Sequence, residues 1–101
     1  MRHKKTRAWG EKKILQRNIV THGEAMEVDV AIEEMSELIK ELIKNRRGWN
    51  NAVCIAEEIS HVELMIQQLK LVFDCEKLAK KEKRKALKRI AASCERMERT
   101  R

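Results

Sequence analysis

The chain is 101 residues long, enough for one domain but for only a modest core in a single copy. It has no proline, three glycines, 3% aromatic and 39% charged residues, a profile that suits long helices with charged outer faces and speaks against a β-sandwich. The net charge of +7 divides into basic ends and an acidic middle, with +5 over residues 1–13, −5 over 14–75 and +7 over 76–101. Acids gathered on a folded middle point to a cation site, and basic ends point to an anionic partner.

Residues 1–10 form a basic arm in which Trp9 sits among Arg2, Lys4, Lys5 and Arg7. That tryptophan can stack on a base or pack on its own helix. A first helix is expected from about Glu11 to His22, with Ile14, Leu15, Ile19 and Val20 as its apolar side and Gly23 as the stop. A second helix starts at Glu24 or Glu27 and runs to about Arg46. Its stripe is Val28, Ile32, Met35, Ile39 and Leu42, spaced 4, 3, 4 and 3. Gly48 breaks the pattern, and Asn50 or Asn51 is placed to cap the next helix.

The third helix is expected over about Asn51 to Cys75. Ile55, Ile59, Val62, Ile66, Leu69 and Phe73 alternate at spacings of 4 and 3, the pattern of a bundle or coiled-coil seam. The short break at Gly48 makes the second and third helices antiparallel neighbours. From residue 76 to 101 the chain reads as a basic amphipathic helix carrying Lys80-Lys81-Glu82-Lys83-Arg84-Lys85 and Lys88-Arg89. The predicted fold is therefore all-α: a single domain over 1–101, an antiparallel bundle of about four helices completed by homo-oligomerisation. The basic ends are either solvated faces or contacts for nucleic acid or a protein partner. No apolar run reaches transmembrane length, and residues 1–13 lack a signal-peptide apolar segment. Cys54, Cys75 and Cys94 are odd in number and contain no Cys-x-x-Cys pair, which reads as reduced thiols. A soluble cytoplasmic protein without a membrane partner is expected.

Two acidic motifs carry the chemistry. Glu33-Glu34-x-x-Glu37 lies on the second helix and Glu57-Glu58-x-x-His61 on the third. Residues three apart lie one turn apart on one face, so Glu34 with Glu37, and Glu58 with His61, form two half-sites that an antiparallel pair can bring together. Both border the apolar stripes. Like charges at a core margin repel one another and resist desolvation, and a divalent cation relieves both costs. Oxygen ligands favour Mg²⁺ or Mn²⁺. Solvated glutamates, with Glu37 to Lys40 or Glu41 to Lys44 as weak surface pairs, are the plainer reading of the same residues. Glu58-x-x-His61 is also the motif that di-iron and di-manganese carboxylate bundles use twice. No Gly-x-x-x-x-Gly-Lys loop, helix-turn-helix or zinc finger is present.

The segments Gly23-Glu24-Ala25, Ala31-Ile32-Glu33-Glu34-Met35-Ser36-Glu37-Leu38 and Ala56-Glu57-Glu58-Ile59-Ser60-His61-Val62-Glu63 together resemble the MazG-like all-α nucleoside triphosphate pyrophosphohydrolases, over about residues 11–80. The resemblance implies a helical bundle assembled as a dimer or a dimer of dimers. It implies Mg²⁺-dependent hydrolysis of a nucleotide between its α- and β-phosphates. By position it makes Glu34, Glu37 and Glu58 metal ligands and Glu33 a neighbouring acid that orients ligands or water. The family has Asp where this chain has His61. That change removes one negative charge and offers a nitrogen that Mg²⁺ binds poorly and Mn²⁺ accepts better. It leaves His61 as a ligand or general base, or leaves the chain a binding protein without turnover.

Overall fold

A computed structural model describes residues 9–100, and these form four helices with no strand among them: α1 (Glu11–His22), α2 (Glu24–Arg46), α3 (Ala52–Val72) and α4 (Glu76–Arg99). The all-α fold class holds. Arg2, Lys4, Lys5 and Arg7 lie outside the described residues. Trp9 packs on its own helix, with the Arg17 guanidinium 5.0 Å and the Lys13 ammonium 5.8 Å from its ring centre. No helix among the described residues is long and apolar enough to cross a membrane.

The turns are made by residues in the left-handed region. Gly23 (φ 91°) closes α1 by donating to Ile19 O, and its own carbonyl accepts the first bond of α2 from Glu27. Gly48 (φ 100°) ends α2 with paired bonds, Gly48 N–H to Asn45 O and Trp49 N–H to Lys44 O. Asp74 (φ 48°) repeats this closure after α3, with Asp74 N–H to Leu71 O and Cys75 N–H to Lys70 O. The third helix therefore stops at Val72, short of the expected Cys75, because an aspartate supplies the left-handed residue that glycine usually supplies. The expected asparagine cap also differs. Asn51 stands at the N-cap of α3, but its amide turns back to α2 and donates to Glu41 O at 2.9 Å and Glu41 Oε1 at 3.0 Å.

Helices α2 and α3 form an antiparallel hairpin, and α1 lies across both. The core is small: Leu15 of α1, Ala31 of α2 and Val62 of α3 are its buried apolar residues. A polar node fastens the three helices. Asn18 Nδ2 donates to Glu27 Oε1 at 2.6 Å and to Gln68 Oε1 at 2.8 Å, and Gln68 Nε2 donates to Glu27 Oε1 at 2.6 Å. With both amide hydrogens of Asn18 committed, its Oδ1 accepts from His22 Nδ1 at 2.9 Å. Glu27 is 4% exposed and Gln68 1%. Burial of these groups is tolerated because Glu27 Oε1 and both polar atoms of the Gln68 amide have partners, with His22 Nδ1 3.8 Å from Glu27 Oε2.

At 100° per residue, Glu27, Glu34, Glu58, His61 and Gln68 fall on the flank of the hairpin that faces α1. Ile32, Ile39 and Ile43 of α2, with Ile59, Ile66 and Phe73 of α3, fall on the opposite flank. These six residues are 42–64% exposed. The seam predicted for α3 is thus only half used, since one antiparallel neighbour covers only one side of it.

Helix α4 leaves the body. It touches α3, and Lys12 Nζ lies 3.2 Å from Glu76 Oε1 at its start. Every residue from Leu87 to Thr100 is exposed. The radius of gyration is 17.8 Å, against about 13 Å for a compact chain of this length. The accessible surface is 8759 Å², against about 5,900 Å² for a compact monomer of this mass. Setting aside the residues outside 9–100 at the most that unfolded chain can expose still leaves an excess of about 1,500 Å².

Candidate metal centre

The acidic flank of the hairpin brings together three of the residues named from the sequence. Glu34 comes from α2, and Glu58 and His61 come from successive turns of α3. Each offers one ligand atom, and these atoms all lie within 4.8 Å of one another. His61 Nδ1 donates to Glu34 Oε2 at 2.9 Å and stands 3.8 Å from Glu58 Oε2. The two carboxylates are about a quarter and a fifth exposed, while the imidazole is half exposed at 52%.

Glu58 is the strained member. Its Oε2 is buried without a hydrogen-bond partner. Burial, first, and then the Glu34 carboxyl group beside it hold the Glu58 pKa above the ordinary glutamate value. The charge of Glu37 adds to the rise, and His61 opposes it. A buried oxygen with no donor, next to a second carboxylate, is the environment that a cation relieves.

The donor set fits such an ion. The 2.9 Å between His61 Nδ1 and Glu34 Oε2 is close to the roughly 3 Å that separates adjacent ligands of an octahedral ion bound at about 2.1 Å. Two carboxylates with one imidazole suit Mn²⁺ better than Mg²⁺. The proton that His61 shares with Glu34 must leave before Nδ1 can ligate.

The remaining predicted residues stand apart from this group. Glu37 is exposed and is not one of the three, although its charge reaches Glu58. Three residues along a helix is a rotation of about 60°, and for Glu37 that rotation leads away from α3. Glu33 is also exposed, and its place next to Glu34 turns it to the outside of α2. Glu41 does form the expected pair with Lys44, at 3.1 Å. Asn51, then Lys44, hold the Glu41 carboxyl below its ordinary range.

Sequence reasoning missed the Asn18–Glu27–Gln68 node. Its signal was a heptad step: Glu27 precedes Glu34 by seven residues and Gln68 follows His61 by seven. The node therefore continues the same polar stripe, two turns from the acidic group, and ties it to α1.

No protein-family model, characterised protein or solved structure matches the chain.

Proposed function

We propose that the chain is a metal-dependent nucleoside triphosphate pyrophosphohydrolase of the MazG-like type, acting in the cytoplasm as a homo-oligomer. The observation that carries this is the convergence of Glu34, Glu58 and His61 around a buried carboxylate oxygen that has no partner. The resemblance of both acidic motifs to that family supports it. Three free cysteines suit a reducing compartment. The uncovered apolar flank of the hairpin supports assembly, because a dimer of hairpins completes a four-helix bundle.

In this reading Glu34 and Glu58 would hold the divalent ion, Mg²⁺ or Mn²⁺, with His61 as third ligand or general base. Glu37 lies one turn from Glu34 and joins by rotating its side chain. The ion supplies charge neutralisation for a phosphate chain and lowers the pKa of a water. The water-orienting role that the resemblance implies for Glu33 would need its side chain to turn in from the outside of α2. The nucleotide approaches from solvent, since the site is an open face of a single copy.

The test is pyrophosphate release from a panel of ribo- and deoxynucleoside triphosphates with Mg²⁺ and with Mn²⁺. Turnover is expected, higher with Mn²⁺ than in the family at large, and lost in Glu58→Gln. No turnover of any nucleotide by homogeneous protein sinks the proposal.

One observation favours a second reading. The 2.9 Å bond from His61 to Glu34 gives the site an internal partner where the family has a further carboxylate. A catalytically impaired relative that binds nucleotide, nucleic acid or a protein partner would look like this. His61→Asp separates the two: activity created from none identifies the natural chain as the impaired form.

A further inference from the structure

A cleft of about 810 Å³ opens between α3 and α4, lined by Ile66 and Ala79 and rimmed by Lys70, Lys77, Lys80 and Lys83, with Glu76 at the base of α4. Ile66 also belongs to the uncovered flank of the hairpin, so cleft and flank form one continuous surface. Beyond the cleft α4 carries Leu87, Ile90, Cys94 and Met97, spaced 3, 4 and 3. All four are exposed. This stripe has the seam spacing of a helix made to pack against others, and nothing in the described chain covers it.

The charges say what fits. Helix α4 has ten Lys/Arg against four acids. Helix α2 has seven acids against three Lys/Arg, and of these acids Asp29 stands beside the uncovered flank. The apolar flank has charges of both signs at its edge: Asp29 one turn before Ile32 and Glu63 one turn after Ile59, with Arg46 one turn after Ile43 and Lys70 one turn after Ile66. A second α4 is a poor occupant, because two helices of this charge repel. Nucleic acid would satisfy the lysines and leave the apolar stripe in water. An anionic lipid surface would meet Asp29 and Glu63 on the same face, and α4 has no aromatic residue to seat at a membrane interface.

We infer that the α3–α4 surface receives the apolar flank of a second copy's α2–α3 hairpin, each α4 clasping its partner with its lysines meeting Asp29 and Glu63 of the partner hairpin. The exchange is symmetric, so both copies bury the same two patches. The excess accessible surface of about 1,500 Å² is more than the roughly 800 Å² that one partner contributes to a stable interface. The inference rests on the homo-oligomeric part of the proposed function and is independent of its chemistry.

The test is sedimentation equilibrium of the full chain, with circular dichroism to check helicity. Wild type is expected to dimerise, and to weaken as salt rises. Lys77→Glu/Lys80→Glu/Lys83→Glu and, separately, Asp29→Lys/Glu63→Lys are each expected to weaken dimerisation at least tenfold. An equimolar mixture of the two variants should recover a heterodimer, because each α4 again meets a hairpin of opposite charge. A dimeric wild type whose association is unchanged in both variants overturns the clasp and leaves the oligomeric reading standing. A monomeric wild type overturns both. Lysine variants that lose binding to a single-stranded oligonucleotide or to anionic vesicles, with dimerisation intact, reassign α4 to that partner and overturn the clasp.

Discussion

Replacing Gln68 by Leu tests whether the polar node holds the three helices together. The side chain is 1% exposed and makes two bonds in the node, donating to Glu27 Oε1 at 2.6 Å and accepting from Asn18 at 2.8 Å. Each bond contributes about 0.5–1.5 kcal/mol net, and the groups left unpaired in the interior cost about 1–3 kcal/mol. Leucine returns about 1 kcal/mol through its apolar surface, which leaves a loss of about 3 kcal/mol, within about 1–5 kcal/mol. That is a large share of the about 5–10 kcal/mol expected for a domain of this size. Urea unfolding followed by circular dichroism, at one protein concentration, should show it as a lower midpoint with an unchanged slope. The thermal midpoint should fall by about 10–25 °C. The double variant Glu27→Leu/Gln68→Leu removes the buried carboxyl group as well and should recover part of the loss. A Gln68→Leu loss under about 0.5 kcal/mol, or strict additivity in the double variant, would refute the reasoning.

Three further outcomes are expected. Because the Glu58 pKa is raised in the folded chain, the folded state binds the proton more tightly than the unfolded state, so this group's contribution is full below its ordinary value of 4.5 and is lost as pH rises above it. Glu58→Gln should therefore stabilise the metal-free protein at neutral pH and abolish its stabilisation by Mn²⁺, both read by thermal melts with and without the ion. Glu41 carries the opposite sign. Its pKa is lowered by Asn51 and then Lys44, so its contribution is present above its ordinary value of 4.5 and lost as pH falls through its folded value. Asn51→Ala should destabilise at pH 7, by a difference that narrows on acidification. Asp74→Gly relieves a left-handed aspartate and should raise stability by about 0.5–1 kcal/mol, measured by urea unfolding.

Local signals carried well from sequence to structure. The ends of α1 and α2 follow from Gly23 and Gly48, since a left-handed glycine closes a helix whatever surrounds it. The end of α3 was misplaced because Phe73 continues the apolar spacing while Asp74 bends the chain. Glu34, Glu58 and His61 were legible as partners because one-turn spacing and a short antiparallel connection leave little freedom. Glu37 was legible as a neighbour in sequence but not as exposed, because a rotation of about 60° decides whether a residue on the margin turns in or out. The apolar spacing of Ile59, Ile66 and Phe73 announced a buried seam, yet spacing cannot say which chain does the burying. The node was invisible because Asn18 and Gln68 read as ordinary polar residues until α1 is laid across the hairpin.

The separateness of α4 also bears on how the chain unfolds. Its like charges stand four residues apart at Lys77 and Lys81, Lys80 and Arg84, Lys81 and Lys85, Arg84 and Lys88, and Lys85 and Arg89, and each such pair costs about 0.2–0.5 kcal/mol. The Lys85–Glu82 bridge at 3.2 Å offsets only part of that. In a single copy a helix with so few tertiary contacts melts on its own terms, so the monomer consists of two cooperative units and not one. In the monomer, backbone amides beyond Leu87 should exchange with solvent hydrogen at the rate of a free helical peptide while those of α1–α3 are still protected, and dimerisation should slow them. A single two-state melting curve would then average a labile lever with a firmer three-helix base.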